Sequence, residues 1–184
     1  AAGLQLWRVR RSVVVVDAGA PRNAPAAHLH GYLGHDGAAP GDLLATGREE
    51  VTRYGGEVRA GAVVAVSGDV VDGFTVELAD GARISGRRLI VATGITDELP
   101  DVPGLADHWG RDVLHCPFCH GWEARDRRIV VLDWVGLGAH QALLFRQVSA
   151  DVTVVVHDGA GPDPAATADL ATLGVPVVRA TAAG

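Results

Sequence analysis

The chain has 184 residues, no lysine, 22 aspartates and glutamates against 16 basic residues, and a formal net charge of −6. That length buries a sound core as one domain or two small ones, and the acidic balance excludes a nucleic-acid footprint. Apolar runs such as Val13 to Val16 and Ile129 to Leu132 are strand-sized, far short of the roughly twenty residues a membrane span needs, and no stretch reads as a basic-then-apolar leader. Both ends read as cut: the chain opens Ala1-Ala2-Gly3-Leu4, holds no methionine and closes on Ala182-Ala183-Gly184. The expectation is part of something longer.

In chain order, Leu4 to Arg11 is short and helix-compatible, with Arg8, Arg10 and Arg11 as its solvated end. Val13 to Val16 follows, closed by Asp17. An all-valine run disfavours a helix and suits a strand buried on both faces of a parallel sheet. In a dinucleotide-binding βαβ unit, the acid ending such a strand accepts hydrogen bonds from a ribose about twenty residues after a glycine turn. Asp17 suits that role, and equally that of a carboxylate that stops a strand.

Ala20 to Pro25 is loop, and His28-Leu29-His30-Gly31-Tyr32-Leu33-Gly34-His35-Asp36-Gly37 is glycine-rich, which lets backbone approach a flat cofactor closely. Apolar positions at 43, 44, 47, 51 and 54 follow a helical stripe with Asp42 as N-cap and Gly55-Gly56 as terminator. From Glu57 the pattern turns to strands: Val63 to Val66, Phe74 to Leu78, an Asp80-Gly81 turn, then Arg83 to Ser85. This predicts an antiparallel meander inserted in an α/β unit. Arg87 to Gly94 reads as another buried strand running into a small-residue turn.

Cys116 and Cys119 are the only cysteines, and they stand in Cys116-Pro117-Phe118-Cys119-His120-Gly121. A lone C-x-x-C points to exchange, redox or metal chemistry before it points to a structural staple. Redox is the leading reading, because the thiolate of one cysteine is readily favoured by its neighbours. Three alternatives stay open: c-type haem attachment through Cys-x-x-Cys-His, zinc with added histidines, and two buried cysteines acting as small apolar residues. A reducing, cytoplasmic setting suits a lone C-x-x-C.

Beyond it, Arg128 to Leu132 predicts a strand, Gln141 to Val148 a helix, Asp151 to His157 a strand, Pro162 to Leu173 a loop turning into helix, and Val175 to Val178 a last parallel strand. His157 stands where a ribose-reading residue would sit, and reads more simply as a polar strand end.

Taken together, these pieces resemble the flavin-dependent pyridine nucleotide-disulfide oxidoreductases of the low-molecular-weight thioredoxin reductase type. The likeness is carried by Val13 to Asp17 with Pro21-Arg22-Asn23, His30 to Gly37, Ala92-Thr93-Gly94 with Leu99-Pro100 and Pro103-Gly104, and Cys116 to Gly121, all in the family's order. It implies an α/β fold of two dinucleotide-binding, Rossmann-like domains: an incomplete FAD-binding domain over 1–110, and an incomplete NAD(P)-binding-like domain over 111–184 carrying the C-x-x-C.

The resemblance also implies roles. Gly3 is the tail of the first glycine motif, Asp17 would bind the FAD adenosine ribose, and Arg22 and Asn23 would lie near it. Val63 would meet the adenine through its backbone, Ala92, Thr93 and Gly94 would pass beside the pyrophosphate, and His35 and Asp36 would line the flavin side. Cys119 would be the thiol nearest the flavin and Cys116 the one that attacks an external disulfide. His120 replaces the family's proton-donating aspartate, and imidazole titrates near neutrality. The Cys-x-x-Cys-His-Gly form is similar to relatives that oxidise dithiols of small natural products with oxygen as acceptor. The implied partners are a thioredoxin-like protein or a small dithiol, and a second copy as homodimer.

Two departures matter. The interval from Gly3 to Asp17 is about one helical turn shorter than the usual motif-to-acid spacing. After the Ile129 to Leu132 run the chain reads Asp133-Trp134-Val135-Gly136-Leu137-Gly138. An aspartate and a tryptophan in that turn repel and crowd a pyrophosphate that needs bare backbone N–H groups, which tells against NADPH.

Overall fold

The computed structural model describes residues 1–157 and 159–180; the terminal Ala182-Ala183-Gly184 lies outside them. The chain divides into two compact units, one formed by Ala1–Ala24 with Ala38–Asp97, the other by Pro25–Gly37 with the chain from Glu98 onward.

The first unit holds α1 (Ala2–Arg8), β1 (Val14–Asp17), α2 (Pro40–Arg53), β2 (Glu57–Ala60), β3 (Val63–Asp69), β4 (Gly73–Leu78) and β5 (Arg83–Gly86). β1 and β2 pair in parallel, Val14 opposite Glu57 through Asp17 opposite Ala60, so β1, α2 and β2 form one βαβ unit. A Cβ on Gly3 would stand 2.7 Å from Val15 Cγ2, so glycine lets α1 press directly on β1. α2 ends where the sequence predicts: Gly55 takes a left-handed φ of 85°, its N–H donates to Thr52 O, and the Gly56 N–H donates to Val51 O. That pair of bonds is the Schellman arrangement, which satisfies carbonyls the helix end leaves open.

β3, β4 and β5 form the expected antiparallel meander, with Val66 opposite Val76 and Val76 opposite Ile84. Val76 and Leu78 of β4 are buried, while Val64 and Val66 of β3 are exposed.

Two expectations in this unit are corrected. Asp42 is not the N-cap of α2; the helix begins at Pro40 after Ala39, because proline's fixed φ suits the first helical position. Asp42 sits in the first turn instead, where its charge complements the helix N-terminus. Residues 87–94 form no strand and are exposed throughout. The parallel sheet here consists of β1 and β2, and an apolar run becomes a strand only when a neighbour completes its ladder.

The second unit contains α3 (Pro117–His120), β6 (Ile129–Asp133), α4 (Gly138–Phe145), β7 (Val152–Val156), α5 (Pro164–Thr172) and β8 (Val177–Arg179). β6, β7 and β8 make a parallel sheet in that order, the arrangement expected when strands alternate with helices. Its core joins Val131, Val152, Val154 and Val156 of the sheet to Ala142 and Phe145 of α4, Leu170 of α5 and Val175. α4 starts three residues before the predicted Gln141. α5 is capped by Asp163, whose side chain accepts the Ala166 N–H at 2.8 Å. Among the described residues no helix is long and apolar enough to cross a membrane.

Candidate redox site

Cys116 stands at the N-cap of α3 with extended backbone, and Pro117 opens the helix behind it. The Cys116 carbonyl accepts both the Cys119 and the His120 N–H at 3.2 Å, so one turn of backbone fixes the two cysteines and the histidine together. Helical bonding runs on, the Ala124 N–H donating to His120 O at 3.1 Å. That brings Glu123, four residues after Cys119, to the same face. From α4, the Gln141 amide donates to His115 O at 2.7 Å and ties the segment before the cysteines to the sheet layer.

Cys116 is half-buried and Cys119 exposed. Beside Cys119 lies a cavity of about 230 Å³ lined by His30, Asp36, Phe118, Trp122 and Glu123 among others. Phe118 is 81% and Trp122 71% exposed, two large aromatic faces that flank a sulfur. Trp122 is held by Arg125, whose guanidinium lies 4.1 Å from its ring centroid and donates to its carbonyl at 2.6 Å.

The glycine-rich loop supplies the other wall. Asp36 accepts the Gly31 N–H at 2.8 Å, closing the loop on itself. His30 Nδ1 lies 3.5 Å from Asp36 Oδ1 and its Nε2 3.6 Å from Glu123 Oε1. The His30 and His120 rings meet edge-on with centroids 6.4 Å apart.

Of the expected site residues, Cys119 and Asp36 therefore share a cavity. His35 is not brought there by any contact seen; its N–H bonds Tyr32 O and its ring lies 5.5 Å from Tyr32. His30 and Glu123 were missed. Their signals were present, an imidazole among three glycines and an acid one helical turn beyond a cysteine.

In the first unit, Asp17 ends β1 with its Oδ1 accepting the Gly19 N–H at 2.8 Å and its Oδ2 accepting two Arg48 N–H groups at 2.7 and 2.9 Å. The Gly19 N–H first, and the Arg48 guanidinium second, hold this carboxyl below the usual carboxylate range. Three of about four acceptor positions are thus filled, leaving one open. Arg22 makes a bidentate pair with Asp97 at 2.5 and 2.8 Å, and Asn23 is exposed in the adjoining turn. Val63 is exposed at the start of β3, as are Ala92, Thr93 and Gly94. Arg48 and Asp97 escaped the sequence reading because their partners are 31 and 75 residues away. Gly3 lies at the close approach of α1 to β1, against Val15.

The turn after β6 is built differently. Asp133 is 2% exposed, its Oδ1 accepts the Gly136 N–H at 2.7 Å, and its Oδ2 is buried without a hydrogen-bond partner. A Cβ on Gly138 would lie 2.5 Å from Asp133 Cβ. The carboxylate thus fills the mouth of α4. His157 is buried at the end of β7, with its N–H on Asp133 O at 2.8 Å, as a strand-end residue. Among the described residues no group of three or more histidines, cysteines or carboxylates stands at metal-binding geometry.

No family model matches the chain. It is 37% identical over 127 residues to thioredoxin reductase tcpT of Claviceps purpurea, a match covering 67% of this chain and 40% of that protein. It is 34% identical over 167 residues to thioredoxin reductase sirT of Leptosphaeria maculans, covering 86% of this chain and 47% of that one. The crystal structure of HlmI superposes with a TM-score of 0.91 at 48% identity, over 98% of this chain and 57% of HlmI. The chain spans about half the length of the relatives it matches.

Proposed function

Because the chain belongs to the thioredoxin reductase-like family of disulfide oxidoreductases, we propose that it carries the redox cysteines of an FAD-dependent thiol–disulfide oxidoreductase that oxidises small dithiols. The observation that supports this most is the exposed Cys119 on one turn with Cys116, in a cavity shared with Asp36 of the glycine-rich loop. In this reading residues 1–110 hold FAD and residues 111–184 derive from an NAD(P)-binding domain. Asp17, with an open acceptor position, would hold the ribose; Gly3, Arg22, Asn23, Val63, Ala92, Thr93 and Gly94 would flank the dinucleotide, and His35 and Asp36 the flavin.

The chemistry of the chain's own residues follows from thiol exchange. A substrate thiolate attacks Cys116 Sγ in the Cys116–Cys119 disulfide; the S–S bond breaks and Cys119 leaves as thiolate. The second substrate thiolate attacks the sulfur joined to Cys116, forming the product disulfide and releasing the Cys116 thiolate. FAD, when bound, would supply the two-electron acceptor for the reduced cysteine pair, with oxygen as terminal oxidant. His120 holds or returns the protons that the thiols shed.

Dithiol oxidation is favoured over NADPH-driven reduction by Asp133. A dinucleotide phosphate needs free backbone N–H groups and room at a helix N-terminus. Here the buried Asp133 side chain already takes the Gly136 N–H and fills the turn, so the turn does not fit NADPH. The test is anaerobic addition of dithiothreitol or NADPH to the flavin-loaded protein. The visible flavin absorbance is expected to bleach with the dithiol, not with NADPH, and to stay unchanged with either in Cys119→Ser. Bleaching by NADPH, or a purified protein unable to bind flavin, overturns the reading.

A further inference from the structure

The sequence assigns proton handling to His120, but the imidazole that lines the cavity with Cys119 is His30. It is 24% exposed, with a carboxylate near each ring nitrogen, Asp36 at 3.5 Å and Glu123 at 3.6 Å. A neutral imidazole donates at one nitrogen; the doubly protonated ring donates at both. Two flanking acids therefore match the imidazolium form. The other titratable groups facing it are His28, with ring centroids 6.3 Å apart, His120 at 6.4 Å, and the Cys119 thiol across the cavity.

We propose that His30 takes the proton of Cys119, with Asp36 and Glu123 holding its imidazolium form and His120 as the next ring in line. The inference rests on reading Cys116 and Cys119 as a redox pair. In the step, the Cys119 S–H bond breaks, its electron pair stays on sulfur, and the proton crosses the shared cavity through water to the one unprotonated His30 nitrogen, which faces Asp36 or Glu123, where the N–H bond forms. No oxidant is needed, and return of the proton reverses it. An imidazolium lining the same cavity as a thiolate favours the nucleophilic form of the sulfur. His30 thereby couples the glycine-rich loop to the redox turn.

The test needs no flavin. In a Cys116→Ser background, where Cys119 is the one thiol left, the rate of alkylation by iodoacetamide is followed against pH by mass spectrometry. His30→Gln is expected to slow alkylation near neutrality about tenfold, the change in thiolate fraction that one pKa unit controls. Glu123→Gln should move the profile the same way by less, since it leaves Asp36 in place. Overturning results are a His30→Gln profile that superimposes on the parent while circular dichroism shows it folded or, should that variant not fold, an unshifted Glu123→Gln profile. A failure to bind flavin would sink the function proposed above and leave this profile standing. An unshifted profile in a flavin-binding protein sinks the His30 assignment alone.

Discussion

Asp17 shows how a single side chain ties a strand end to the helix that follows it. Its carboxylate is held ionised by the Gly19 N–H and by Arg48 reaching from α2, so the acid at the end of β1 is oriented before anything binds. A carboxyl held below its ordinary value contributes stability at pH values above that ordinary value, and the contribution is lost as pH falls through the folded value. Arg48→Met is therefore expected to cost about 0.5–1 kcal/mol at neutral pH, the scale of a solvent-screened pair. In urea melts the gap should close in acid, once the carboxyl is protonated in both proteins. A gap of equal size in acid would show that Arg48 acts through packing alone. Residue identity in the sequence announced Asp17, Cys116 and Cys119, because an acid after a valine run and a lone C-x-x-C are local patterns. It did not announce Arg48, Asp97 or His30. Their meaning comes from partners distant in sequence, and such pairings leave no periodicity to read.

At the scale of elements, strands rich in valine were legible because β6 and β7 do form and bury alternate residues, Val131, Val152, Val154 and Val156 among them. The 87–94 segment has the same look and no strand, since apolar content says that a run is able to be buried and not what lies beside it. The helix-capping signals were legible where glycine forces the geometry, as at Gly55, and misplaced where Pro40 started α2 ahead of the acid. α4 packs its Ala142 against the sheet and against α5, whose Leu170 is likewise wholly buried. Leu170→Ala should cost about 2–5 kcal/mol, the lost transfer energy plus the cavity left behind. Gly138→Ala tests the mouth of α4 in the opposite sense. Alanine gains up to about 1 kcal/mol of helix propensity, but its Cβ would fall 2.5 Å from Asp133 Cβ, and overpacking of that kind costs about 1–3 kcal/mol. Net destabilisation in thermal or urea melts is expected for both variants. A stabilised Gly138→Ala would mean that Asp133 yields easily, which would weaken the argument against NADPH.

For the molecule as a whole, the buried apolar cluster lies within the β6–β8 layer of the second unit, while Val51, Val76 and Leu78 are the buried hydrophobics described in the first. The cysteines, the glycine-rich loop and the cavity they line all belong to the second unit. The account stands on Cys116 and Cys119 exchanging between dithiol and disulfide. Equilibration of the purified protein against graded ratios of reduced and oxidised dithiothreitol, quenched by alkylation and read by intact mass, measures this directly. The account predicts one two-electron transition from a doubly alkylated to an unalkylated species, with the disulfide inside the peptide that contains both cysteines. Two thiols that stay fully alkylatable under the most oxidising ratio, or a native mass raised by a bound zinc ion that protects them, would contradict it.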